Sequence, residues 1–250
     1  MASAAARLCF LAGFRVLVLE RESPLAVRRR VCYAEAVRAG RILVEGVAGQ
    51  RVPLQALAPE RPDFVEVAID PDARALGVLA PEVVVDGRMA KAPADTTRDQ
   101  APLVIGLGPG FEAGRNVHAV VETQRGPCLG RVLWSGAAEP DTGVPAEVAG
   151  VTEGRVLRAP RAGRFQGLRA IGDSVAAGDP VGDVDGLPVT AGVAGLIRGL
   201  AADGVVVAAG LKLGDIDPRD RAVDPAVISD KARAVAAGVL EAVLRGRSRQ

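Results

Sequence analysis

The phrase VAAGDPVGDV at 175–184 returns as VAAGLKLGDI at 207–216, 32 positions further on. Extended in both directions, residues 159–184 align with 191–216 without a gap, and 13 of the 26 positions are identical. Among these are Ala159/Ala191, Gly163/Gly195, Gly172/Gly204, Val175/Val207, Gly178/Gly210, Gly182/Gly214 and Asp183/Asp215. Self-similarity at one fixed offset marks a duplicated supersecondary unit. Glycines cut each copy into short segments, GRFQGL, GDSV and GDPVGDV in the first. That spacing leaves no room for a helix and predicts short strands joined by turns. Two such units suit a small two-sheet sandwich, each burying the apolar face that the other exposes.

The pattern A-P-x-x-G followed by G-D-x-V-x-x-G-x-x-V resembles the biotinyl/lipoyl carrier domain, a barrel-sandwich hybrid. In carriers of that kind the modified lysine sits on the hairpin between the two halves. The corresponding hairpin here, GDVDGLPVT at 182–190, contains no lysine. Lys212 falls inside the second copy, opposite Pro180 of the first. The resemblance therefore implies a carrier-like sandwich without a prosthetic-group arm, no covalently bound cofactor, and a role in docking or packing.

Upstream of the repeat, helical and extended signals alternate. ASAAARLCFLAG reads as an Ala-rich helix stopped by Gly13. SPLAVRRRVCYAEAVRAG reads as a second helix, with Ser23 as N-cap, Pro24 at N1 and Gly40 just past the end. RVLVLE (15–20), ILVEGV (42–47), FVEVAID (64–70), EVVVDG (82–87) and PLVIGLG (102–108) read as strands. β-Branched runs separated by helices predict a parallel sheet covered on both faces, a Rossmann-like doubly wound domain. The chain opens on a helix, whereas that architecture opens on a strand and a Gly-rich turn. Glu20, closing LVLE, then matches the second strand's terminal acid, which takes a ribose hydroxyl. Either the domain does not bind dinucleotides, or the reading frame starts late.

IGLGPGF (105–111) is a second glycine-rich loop. A strand, NVHAVVET (116–123), follows too soon for a phosphate-facing helix, and Pro109 lacks an N–H. The loop reads either as a ligand loop or as a tight turn. TTRD (96–99) reads either as an anion-binding cluster or as a local turn with an ion pair. His118, the only histidine, alternates with Val117 and Ala119 and is structural or ligand-facing. SDKARAVAAGVLEAVLRG (229–246) predicts a final helix with Ser229 as N-cap and an apolar stripe of Val235, Val239, Leu240, Val243 and Leu244. The RGRSRQ tail reads as solvated.

Composition excludes several classes. The formal net charge is +1, so no global field draws the chain to nucleic acid or an anionic membrane. Only Lys91, Lys212 and Lys231 among 31 basic residues are lysines, an arginine bias that reads as coding composition. Cys9, Cys32 and Cys128 are scattered and form no C-x-x-C, so neither a disulfide framework nor a zinc site is legible. LCFLAGF (8–14) is too short for a membrane span and lacks a cleavage site. The expectation is a soluble cytoplasmic protein with no metal, nucleic-acid or membrane partner.

FRVLVLERESPLAVRRRVCYAEAV, TTRDQAPLVIGLGPGFEAGRNVHAVVETQRGPCLGRVL, DTGVPAEVAG, RVLRAP and ISDKARAVAAGVLEAVL together resemble one family. It is the accessory or maturation protein of the selenium-dependent molybdenum hydroxylase system, and the resemblance runs from about residue 2 to 244. It implies a cytoplasmic protein that helps activate a molybdenum hydroxylase carrying labile selenium. Family members resembling it begin with a strand and a GAGD-like turn before the segment matching Ala2–Ala6, so a truncated frame is expected. In RGPCLGRV (125–132) Pro127 and Cys128 stand where the family has polar residues.

These readings combine into a Rossmann-like domain at 1–150 lacking its first strand, a lysine-less biotinyl/lipoyl-like sandwich at 156–218, and a C-terminal helix and tail at 219–250. The expected ligand set is Glu20, Thr97, Arg98, Asp99, Gly106, Gly108, Gly110 and His118, taking a nucleotide or dinucleotide. The sandwich is expected to dock on the hydroxylase or its maturation proteins. The alternatives are an NAD(P)-dependent oxidoreductase, a sulfur or selenium transferase using Cys128 (Cys32 being expected mid-helix and buried), and a ligand-free scaffold.

Overall fold

A computed structural model describes residues 1–89, 95–141, 143, 147–152 and 154–247. Lys91, part of DTGVPAEVAG and the last three residues of the basic tail lie outside the described residues. The chain forms two compact units, each drawn from separate stretches. The first takes Met1–Leu19, Val52–Gly143 and Ile228–Gln250, and the second Glu20–Arg51 and Val144–Val227.

The first unit is organised by strands β5 (Val83–Asp86), β6 (Leu103–Leu107), β8 (Ala119–Val121) and β9 (Val132–Leu133), hydrogen-bonded in that order. β5, β6 and β8 run parallel, and β9 is antiparallel. β6 is buried along its whole length because both faces are covered. On one face Val104 and Val120 pack with Phe111, Val117 and Ala138, from irregular chain around the short ribbon of β7 (Glu112–Ala113) and β10 (Gly136–Ala137). On the other face lies helix α4 (Asp230–Arg247), whose Gly246 sits against Leu103 and whose Gly238 sits against Val121. The Ser229 hydroxyl accepts the Ala232 N–H at 3.2 Å and caps α4. Helix α1 (Ala2–Leu11) runs beside α4, and its buried Ser3, Ala4 and Ala5 permit close approach. Gly13, at φ +95°, ends it as expected. β1 (Leu17–Glu20) lies beside β4 (Val65–Ile69), with the Glu66 N–H on the Val16 carbonyl at 3.1 Å. A single turn, α3 (Leu76–Leu79), precedes β5.

In the second unit the duplicated segment forms two four-stranded sheets. The first copy supplies β12 (Gly163–Gly167), β13 (Ser174–Val175) and β14 (Pro180–Val184). The second supplies β16 (Gly195–Leu200), β17 (Val206–Val207) and β18 (Lys212–Asp217). With β11 (Val156–Arg158) and β15 (Leu187–Thr190), the sheet orders are β11-β18-β16-β13 and β15-β14-β12-β17. Each copy thus lends its short middle strand to the sheet dominated by the other. Phe165, Val181, Val184, Ile197, Leu213 and Ile216, all fully buried, fill the space between. Residues 20–51 add the hairpin of β2 (Arg41–Val44) and β3 (Val47–Arg51), and the one-turn helix α2 (Ala36–Ala39).

The expected fold class, a Rossmann-like doubly wound domain followed by a biotinyl/lipoyl-like sandwich and a closing helix, is corrected. The structure is mixed α/β with several small sheets. Double winding needs a crossover helix between successive parallel strands. Among the described residues, the 87–102 connection contains only a 3-10 turn (Arg98–Gln100), and 108–118 only β7. The helix on the sheet, α4, arrives from the far end of the chain. Nor does 156–218 stand alone, since Leu25 packs on its core and Leu200 donates its N–H to the Val27 carbonyl.

That last bond also explains why the helix expected over 23–40 is absent. Residues 29–35 form two 3-10 turns, and only Ala36–Ala39 is α-helical. Three consecutive arginines are drawn outward: Arg28 to Asp215, Arg29 to the Leu200 carbonyl and Arg30 to the Ile171 carbonyl. ILVEGV is likewise two strands, split at Glu45 and Gly46, whose φ of +42° and +84° make the tight turn. In the apolar stripe of α4, Leu244 is exposed, and Ala236 and Ala242 are buried in its stead.

Candidate functional site

Parallel strands present their carboxyl ends on one edge of the sheet. On this sheet the edge comprises the ends of β5, β6 and β8. β5 ends in Asp86, which is buried. Its carboxylate accepts the Arg88 guanidinium at 2.6 Å and the Thr96 hydroxyl at 2.5 Å. The same guanidinium is held by Asp95 through two bonds of 2.8 and 2.6 Å. Burial opposes ionisation of Asp86, but the bonds from Arg88 and Thr96 outweigh it and hold the carboxyl below its usual range. Arg88, pinned by Asp95 and Asp86, is shifted upward and stays charged.

β6 ends in the glycine turn. Gly106 pairs with Asp86 across the sheet, and a Cβ there would lie 2.2 Å from the Phe111 ring. Gly108 and Gly110 have φ of +78° and +94°, which side chains rarely adopt. A Cβ on Gly108 would lie 2.4 Å from the Thr123 hydroxyl, so this turn packs flush against the residue following β8. Beside Thr123 the buried Glu122 carboxylate accepts three backbone N–H groups, from Thr123, Gln124 and Glu139, at 2.6–2.8 Å. It fixes the chain leaving β8. The edge therefore carries a buried Asp86–Thr96 pair bonded to Arg88, and a turn in which Gly108 and Gly110 flank Pro109.

The expected ligand residues fall into three places. Gly106, Gly108 and Gly110 are on this edge. Arg98, Asp99 and His118 are together at the opposite end of the strands, because His118 precedes β8 and pairs with Val104 early in β6. Thr97 and Asp99 are exposed, and Arg98 donates to the Gly114 carbonyl at 3.2 Å. Glu20 is the last residue of β1, where the chain passes into the second unit; its carboxylate accepts the Arg21 N–H and burial raises its pKa. Asp86, Arg88, Asp95, Thr96 and Thr123 were not legible as a group. The signals were TTRD, which includes Thr96, and Asp-Gly-Arg closing a strand, with Gly87 packed against Ala2.

His118 Nδ1 accepts the Val104 N–H at 2.9 Å, so the neutral ring carries its proton on Nε2. Burial first, and then the Arg98 charge, push its pKa below the ordinary value, against a smaller pull from Asp99. The unfolded chain therefore binds the proton more readily than the folded one. Stability from this group is complete above about pH 6.5 and is lost as pH falls below it. His118→Gln is expected to flatten the fall of melting temperature between pH 7 and 5. An unchanged slope would show that His118 does not titrate against folding.

Of the cysteines, Cys128 is exposed, in the turn after β8, and Cys9 is pushed up to about 11 by burial. Cys32 is half-buried between two 3-10 turns, which corrects its expected mid-helix position. Among the described residues no group of three or more His, Cys, Asp and Glu is placed to hold a metal ion. None of the described helices is long and apolar enough to cross a membrane.

Comparison with known proteins gives one strong likeness. The chain is 43% identical over 246 residues to an uncharacterized protein of Escherichia coli (strain K12), YqeB. The match takes in 98% of this chain and 46% of YqeB, so the chain spans about half the length of that relative. No family model matches. Among solved structures, an aspartoacylase family protein from Mesorhizobium loti is 19% identical, with 26% of this chain and 23% of that one covered and a TM-score of 0.24. A succinylglutamate desuccinylase/aspartoacylase from Rhodobacter sphaeroides is 13% identical over 80% of this chain and 84% of that one, at 0.28. Neither score reaches the level of a shared fold.

Proposed function

We propose that the chain is an accessory protein of a selenium-dependent molybdenum hydroxylase system, which binds a nucleotide-type ligand at the carboxyl edge of β5, β6 and β8 and docks on its client enzyme. The sequence motifs between residues 2 and 244 support the system. The observation that carries the ligand is the meeting of Asp86, Thr96 and the Gly108–Gly110 turn on one sheet edge. Carboxylate and hydroxyl suit sugar hydroxyls, and the glycines on either side of Pro109 let backbone approach a phosphate. The dinucleotide and the molybdenum cofactor's own nucleotide form are the ligands to try.

A thermal-shift series with NAD(P), FAD, CTP, GTP and molybdopterin nucleotides tests this. One of them is expected to raise the melting temperature by several degrees at saturation, an effect reduced in Thr96→Val and retained in Arg98→Gln. A shift that Arg98→Gln abolishes and Thr96→Val keeps would move the site to the other end of the strands. No shift from any nucleotide would leave a docking scaffold. A sulfur or selenium transferase is the second reading, favoured by the exposed Cys128 thiol. Full hydroxylase maturation by Cys128→Ala would remove it.

A further inference from the structure

The second unit holds a cationic cluster that neither the nucleotide reading nor the repeat itself requires. Asp215 and Asp217 on β18 are buried, and each is shared by two cations. Asp215 Oδ2 takes Arg28 at 3.4 Å and Lys212 at 3.9 Å. Asp217 Oδ2 takes Arg198 at 3.3 Å and Arg219 at 2.8 Å. Three of these four contacts are longer than the 2.7–2.9 Å of a good charge-assisted bond. Among the described residues, the buried Nε donors of Arg28 and Arg198 have no acceptor, and Asp215 Oδ1 has no donor. Arg28 and Lys212 thus lean on a single carboxylate oxygen, loosely, with donors left over. Lys212 also feels the charges of Arg155, Arg28 and Arg158, and burial together with these guanidiniums lowers its pKa against the pull of Asp215.

The duplication supplies an internal control. At the same offset of 32, Lys212 corresponds to Pro180, Arg198 to Gln166, Asp215 to Asp183 and Asp217 to Asp185. In the first copy the two aspartates serve backbone: Asp183 accepts the Gly186 N–H and Asp185 accepts the Arg164 N–H. The fold closes there without a lysine or an arginine at those positions, so the cations of the second copy are not needed to form the sheets. Two register shifts flank them, between Leu157 and Arg158 and between Ile197 and Gly199. Bulges of this kind re-aim side chains. Here they accompany the placing of Lys212 and Asp215 in one ion pair. At Gly199 a Cβ would lie 2.6 Å from Asp215 Oδ1 and 2.7 Å from Arg28 Cδ, so only glycine lets the Arg28 side chain lie across the sheet.

We propose that this cluster is a binding site for a phosphate group, free or carried by a small molecule, with Arg28, Arg158 and Lys212 as its donors. A phosphate accepts several bonds at once and outcompetes one loosely held carboxylate oxygen for the two cations. Arg158, which pairs with Lys212 across β11 and β18 and donates from Nη1 to the Gly210 carbonyl at 3.1 Å, and Lys212 are solvent-accessible and provide the entry. The site lies wholly in the second unit and stands apart from the nucleotide reading of the first.

Isothermal titration of the full chain with inorganic phosphate and with pyrophosphate, at constant ionic strength, tests it. Binding is expected, weakened at least about tenfold in Lys212→Gln and in Arg158→Gln and kept in Lys212→Arg. Unliganded melting temperatures serve as the folding check. Thr96→Val, in the other unit, is expected to leave this binding intact, which separates its failure from that of the nucleotide site. Equal affinity in the wild type and both Gln variants, or no heat with either anion, would overturn the proposal. Stronger binding of pyrophosphate than of phosphate would identify a diphosphate-bearing small molecule, and equal binding a monophosphate.

Discussion

Gly238→Ala is expected to destabilise the protein by about 2 kcal/mol or more, although it replaces glycine in the middle of a helix. Helix propensity alone predicts the opposite sign, a gain of about 1 kcal/mol. The added methyl group decides the matter, because a Cβ at this position would lie 2.1 Å from the Gly130 carbonyl oxygen and 2.8 Å from Val121 Cγ1. The first obstacle is backbone and cannot rotate away. α4 must therefore lift from β8 and from the 126–131 turn, and the burial of Val235 and Val239 is loosened with it. Gly77 in α3 is the matching control, since a Cβ added there would meet nothing within 4 Å. Gly77→Ala should be neutral or stabilising by about 0.5–1 kcal/mol. Chemical denaturation of the two variants beside the wild type checks both signs. If Gly238→Ala is as stable as Gly77→Ala, α4 does not rest on the sheet as closely as these distances require.

The same contrast between local signal and distant contact separates what was legible from what was not. α1 and α4 were legible because their causes are local: an alanine run ended by Gly13, and Ser229 capping an apolar stripe. β4, β5 and β6 were legible because they are written as runs rich in β-branched residues. Residues 23–40 carried equally good helix signals, yet Val27 spends its carbonyl on Leu200 and three arginines reach separate groups far along the chain. No window of local sequence contains those partners. The sheet edge failed to show for the same reason: Asp86 and Thr96 are ten positions apart, and their hydroxyl–carboxylate bond exists only once the chain has returned to the end of β5. Glycines were the reverse case. Their presence at 106, 108 and 110 was plain, but whether they served a ligand or their neighbours Phe111 and Thr123 could be read only from the packing.

Deleting either half of the duplicated core is expected to unfold both halves. Phe165 and Ile197 occupy equivalent positions of the two copies, and both are fully buried. Truncation to alanine should cost about 3–5 kcal/mol at Phe165 and about 2–5 kcal/mol at Ile197. Two duplicated units that were merely adjacent would lose protection one at a time. Here β17 of the second copy pairs with β12 of the first, and β13 of the first pairs with β16 of the second. Each sheet is therefore incomplete without a strand from the other copy, and both line one core. Hydrogen exchange followed strand by strand gives the test. In Phe165→Ala, protection should fall in β16 and β18 as much as in β12 and β14, and in Ile197→Ala the same two sets should fall together. Loss confined to the mutated copy would mean that the exchanged strands contribute little, and that each half keeps its own stability. Joint loss would mean that the duplication persists as a single cooperative fold. The second copy can then carry its lysine and arginines only because the first copy helps to hold the sheet beneath them.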